Sequence, residues 1–129
     1  MGKRLFLCIV VIVITGSFLF AQDKEDNKPV MKNYFMVFLK KGPNRAQDST
    51  AVEKLQDAHL ANITRLIKEG KLLVAGPFLD DGEMRGIFIF DVPTADEVKQ
   101  LCETDPAIKS GRLSYEIHPW MTMKGVCLK

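Results

Sequence analysis

From Asn33 onward, short apolar runs alternate with longer amphipathic stretches, and the two periods separate strands from helices along the chain. Asn33 to Lys40 reads Asn-Tyr-Phe-Met-Val-Phe-Leu-Lys and is ended by Lys41, Gly42, Pro43 and Asn44, the pattern of a strand and a turn. Thr50 and Glu53 then stand in capping-box spacing and open a helix. Its apolar stripe is Val52, Leu55, Ile63, Leu66 and Ile67, and Gly70 ends it. Lys71 to Phe78 predicts a second strand. Gly76-Pro77 must lie at its edge, at a bulge or at its end, because proline has no N–H for the ladder. Asp80, Asp81 and Gly82 supply a turn, and Arg85 to Val92 predicts a third strand that closes a hairpin. A second capping box, Thr94 with Glu97, opens a shorter helix with Val98, Leu101 and Cys102 facing inward. The Asp105-Pro106 step ends that helix. Ala107 to Gly111 reads as a loop, and Arg112 to His118 alternates as a fourth strand with Leu113, Tyr115 and Ile117 on one side.

Strand, helix, strand, strand, helix, strand is the order of the split βαβ, or ferredoxin-like, α+β fold, in which two helices cover one face of a four-stranded antiparallel sheet. The other face has no cover within a chain of this length. Tyr34, Met36 and Phe38 point one way while Phe35, Val37 and Leu39 point the other, and Ile87 and Ile89 oppose Phe88 and Phe90. A solvated sheet face should alternate with polar residues, and these strands are apolar on both sides. A second copy of the sheet is the simplest cover, so a homodimer is expected.

The segment before the domain changes the compartment. Lys3 and Arg4 precede a continuous apolar run from Leu5 to Ile14, and Thr15, Gly16 and Ser17 break it before Phe18, Leu19, Phe20 and Ala21. Residues 1–21 read as a secretory signal peptide whose cleavage after Ala21 leaves Gln22 first. An uncleaved membrane anchor is the alternative, and an exported, periplasmic or extracellular protein is the expectation. Residues 22–32 read as a flexible spacer, 33–120 as the domain and 121–129 as a tail. Export would permit a disulfide between Cys102 and Cys127, although Cys102 on the buried side of its helix also reads as a plain core thiol.

Without Lys3 and Arg4 the eighteen basic residues fall to sixteen, equal to the acidic ones, with the signs mixed along the chain. That pattern excludes a clustered basic face and with it nucleic-acid binding, and leaves membrane contact only to an uncleaved leader. Histidines and cysteines share no metal-ligand spacing. No nucleophile elbow, phosphate loop or dinucleotide fingerprint is present, so any chemistry is expected to need no cofactor.

From His59 onward the chain resembles the YCII-related family: His59, then Leu73-Val74-Ala75-Gly76-Pro77-Phe78, Asp81-Gly82, Gly86, Asp105-Pro106 and Ile117-His118-Pro119-Trp120. The resemblance covers about two-thirds of the chain and implies a dimeric α+β barrel, two ferredoxin-like sheets packed face to face. It also implies a His–Asp pair, which maps onto His59 and Asp105 at a pocket between sheet and helices.

The residues say part of this themselves. Leu55 and Ile63 lie one turn before and after His59, which places the imidazole on the buried stripe of its helix, where it needs a polar partner. If Asp105 is that partner, the carboxylate fixes the tautomer and leaves a ring that can take or return a proton. The alternative is a core histidine bonded to a backbone carbonyl, with Asp105 only terminating a helix. Gly76 and Pro77 would open the sheet beside the pair, and Phe78 and Phe88, with Trp120, would wall an apolar pocket for a small molecule, or else serve as plain core. His118 reads as a surface residue without a role. Two functions follow. One is an acid–base isomerase or lyase for a small cyclic or carbonyl compound; the other is a non-catalytic ligand-binding or structural dimer.

Overall fold

The computed structural model describes residues 28–126, so the leader, its cleavage site at Ala21 and the Cys127 end of the 102–127 pairing lie outside the described residues. The elements are β1 (Met31–Lys41), α1 (Ser49–Lys68), β2 (Leu72–Pro77), β3 (Met84–Phe90), α2 (Ala95–Cys102), α3 (Pro106–Lys109) and β4 (Leu113–Met123). The four strands form one antiparallel sheet in the order β2-β3-β1-β4, the ferredoxin-like arrangement expected from the element order.

Local signals account for most of the boundaries. Thr94 caps α2 by accepting from the Glu97 N–H at 3.2 Å, as its spacing predicted. At α1 the cap is Asp48 rather than Thr50. Its carboxylate accepts from the Ala51 N–H at 2.8 Å, and helix formation therefore starts two residues earlier than the capping-box reading. Ala107 to Gly111, expected as a loop, contains the helical turn α3, with Asp105 as its N-cap and Pro106 at its first position, where a missing N–H costs nothing.

The last strand is longer than its sequence pattern implied. It pairs with β1 from Leu113 opposite Lys41 to Met123 opposite Met31, passing through Pro119. β4 is an edge strand, so the face of Pro119 that lacks a donor need not meet a neighbour. The pairing also draws Met31 and Lys32 out of the segment read as spacer and Met121 to Met123 out of the segment read as tail.

The helices cover one face. Val37, Leu39, Leu72, Phe88 and Phe90 pack there against Leu66 of α1 and Val98, Leu101 and Cys102 of α2. On the opposite face Met36, Phe38, Val74, Ile87 and Ile89 are only partly buried. Tyr34, at the end of the same row, is nearly covered, with the Trp120 ring 6.3 Å away and the Lys32 ammonium 5.2 Å from its ring centre.

Candidate active site

α1 presents His59, Asn62 and Leu66 to the interior, one residue per turn along a single stripe. From the other side the chain leaves α2 at Cys102, turns, and places Asp105 at the start of α3, with the side chain fully buried. His59 Nδ1 lies 2.7 Å from Asp105 Oδ2. A buried carboxylate can only accept there, so the ring donates through Nδ1 and keeps Nε2 as its free nitrogen. The second carboxylate oxygen, Oδ1, accepts from the Ala107 N–H at 2.8 Å. One aspartate thus caps a helix with one oxygen and holds the imidazole with the other. The same junction is tied again one turn along, where Asn62 Oδ1 accepts from Thr104 Oγ1 at 3.1 Å and from Arg65 Nη2 at 2.8 Å.

The ring plane is set from the sheet. The Phe88 ring lies 6.1 Å from the imidazole centre at 24°, a stacked arrangement, and Phe90 meets Phe88 edge-on at 5.8 Å. Cys102, close behind Asp105, is a core thiol. Burial first, and then the charges of Asp105 and Glu103, push it up to about 12, so it stays protonated and unreactive.

His59 borders a cavity of about 310 Å³ between α1 and the β2–β3 hairpin. Gly76, Pro77 and Phe88 line it too, together with Leu55 and Ile63 of the helix stripe. Gly76 contributes backbone to the lining; it pairs with Ile87, so a Cβ there would point to the open face of the sheet, where no heavy atom lies within 4 Å of it. Asp105 stands behind the histidine, away from the lining. Phe78, expected with the pocket wall, stands outside it, 40% exposed beyond the end of β2. Trp120 and His118 are also elsewhere. Trp120 belongs to a wider groove with Pro93 that shares no lining residue with the cavity, and His118 is an exposed residue edge-on to Phe38.

The three arginines of the lining, Arg45, Arg85 and Arg112, were given no site role by the sequence reading. Arg85 follows a turn in a predicted hairpin, and its position next to Gly86 was the one available hint. Arg45 and Arg112 come from loops far apart in sequence, and no local pattern joins them. Among the described residues, no helix is long and apolar enough to cross a membrane.

The YCII-related domain model matches residues 33–121. No curated protein matches the chain. Among solved structures, the chain is similar to 5-chloro-2-hydroxyhydroquinone dehydrochlorinase from Burkholderia phenoliruptrix AC1100, solved in complex with 2,5-dihydroxybenzoquinone. The TM-score is 0.52 and the identity 28%, over 67% of this chain and 92% of that one. Muconolactone isomerase shares the fold at a TM-score of 0.56 and 14% identity, over 74% of this chain and 96% of that one.

Proposed function

The chain belongs to the YCII-related domain family, and from that premise we propose that it is an exported, dimeric acid–base enzyme of the isomerase or lyase type, acting on a small cyclic or carbonyl compound. The observation that carries the reading is the buried 2.7 Å contact between His59 Nδ1 and Asp105 Oδ2 beside a cavity of small-molecule size. The likeness to a dehydrochlorinase supports a small-molecule substrate.

In this mechanism Asp105 holds the Nδ1–H, and unprotonated Nε2 takes a proton from a carbon or hydroxyl of the bound compound. The electron pair of the broken bond moves into an enolate or quinoid system. It then either expels a leaving group, with loss of the corresponding acid, or is reprotonated at another carbon by the Nε2–H just formed. Asp105 orients the ring and balances the transient imidazolium. Neither route needs a redox partner.

The export reading rests on residues 1–21, and the dimer on the apolar open face of the sheet. The test is hydrogen–deuterium exchange of an enolisable lactone or hydroxyquinone in heavy water, followed by proton NMR. The wild type should catalyse exchange, and His59→Gln should lower the rate by about 10²-fold or more while melting as the wild type does. Unchanged exchange in a folded variant would end the proposal.

A further inference from the structure

The cavity beside His59 carries an imbalance of charge that the acid–base reading leaves unused. Arg45, Arg85 and Arg112 all line it, and among the described residues no Asp or Glu does. Among the described residues each guanidinium is anchored through Nη1 alone, and always to a neutral acceptor. Arg45 donates to the Arg112 carbonyl at 3.1 Å, Arg112 to Gln47 Oε1 at 3.2 Å, and Arg85 to the Asp80 carbonyl at 3.0 Å. Arg85 makes a longer contact with the Gly82 carbonyl. Among the described residues the Nε and Nη2 donors of all three meet no acceptor, and a guanidinium offers these as a fork that fits a carboxylate.

The fold works to gather these cations. The chain after β1 is stitched to the chain before β4 by the Gly42 N–H on the Arg112 carbonyl at 2.9 Å and the Asn44 N–H on the Gly111 carbonyl at 2.9 Å. Gly42 is required at that seam, since a Cβ there would stand 2.1 Å from the Gly111 oxygen. The seam sets Arg45 beside Arg112, and burial together with the Arg45 charge holds the Arg112 guanidinium below its ordinary value. Arg85 arrives by a different device. Leu39 pairs with Gly86 but Lys40 pairs with Met84, so Arg85 is the extra residue of a bulge. Strict alternation from Gly86 would send it to the open face; a bulge re-aims a side chain, and Arg85 lines the cavity instead.

We propose that Arg45, Arg85 and Arg112 form an anion-recognition site on the rim of the His59 cavity, and that the compound bound there is a small organic acid held by its carboxylate. Three cations facing one space with no acidic partner repel one another, and a ligand carboxylate relieves that repulsion while presenting the rest of the molecule to the imidazole. The inference rests on the reading of the cavity as the active site, and it adds the substrate class.

The test is calorimetric titration of the full mature protein at low salt with three small acids, benzoate, 4-hydroxybenzoate and 5-oxotetrahydrofuran-2-carboxylate, each against its own neutral amide. At least one acid should bind about tenfold or more tightly than its amide. The preference should shrink in Arg112→Gln and vanish in Arg85→Gln/Arg112→Gln, with circular dichroism confirming the fold. It should persist in His59→Gln. Equal binding of acids and amides, binding of neither, a preference that survives the double variant, or its loss in His59→Gln would each overturn the inference. An acid preference in a protein that catalyses no exchange would refute the proposed reaction and leave the anion site standing; exchange without the preference would do the reverse.

Discussion

The two faces of the sheet are built from nearly the same residues and have opposite fates. On the helix side Val37, Phe88 and Phe90 are essentially sealed, and a histidine and an aspartate are buried among them because each satisfies the other. On the open side Met36, Phe38, Ile87 and Ile89 form an equally apolar row that remains partly exposed. Apolar content therefore does not distinguish the face that the helices cover from the one they leave open. The polar residues do. Ion pairs such as Lys32–Asp91 and Lys40–Glu116 involve strand residues of the open side, while on the covered side the fully buried carboxylate of Asp105 is held by His59.

The contrast can be broken most severely from the covered side. Phe88→Ala should cost about 3–5 kcal/mol, because it opens a cavity in the core and removes the surface on which the imidazole stacks. Urea unfolding would show it, and a loss below about 1 kcal/mol would mean that the core collapses around the gap. Asp105→Ala should cost about 2–4 kcal/mol by adding the loss of a helix cap to a buried histidine left without its acceptor. In Asp105→Asn the amide oxygen retains one acceptor, and the loss should be smaller by the same measurement.

On the open side the expected effect is on assembly rather than folding. Ile89→Lys should turn the proposed dimer into a monomer by light scattering while the melting transition stays cooperative. A variant that remains dimeric would place the interface elsewhere. The smallest effect concerns pH. The folded Cys102 thiol, raised from 9.0 to about 12, binds its proton more tightly than the unfolded one. Its contribution is complete below pH 9 and is lost as pH rises from there toward 12. Cys102→Ala should therefore flatten the alkaline fall in stability, measured as unfolding midpoints between pH 8 and pH 11, relative to the wild type. An unchanged slope would assign that fall to other groups, among them Tyr115, whose hydroxyl is likewise raised by burial.

The order of elements, the apolar character of both sheet faces and the inward position of His59 follow from the sequence alone, because each is set by periodicity or by a cap within a few residues. Asp105 was legible as a helix boundary for the same reason, and it became half of a pair only through the family resemblance. Tertiary structure decided what depends on register and loop closure. It brought Asp105 to His59 across forty-six positions, ran β4 through Pro119 because an edge strand tolerates a missing donor, and left Phe78 outside the cavity because β2 stops at Pro77. It also assembled the arginines. Arg45 and Arg112 meet at a backbone seam, and Arg85 turns inward at a bulge. A bulge shifts the two-residue period by one, and a seam joins segments that share no period, so neither leaves a trace in the local pattern.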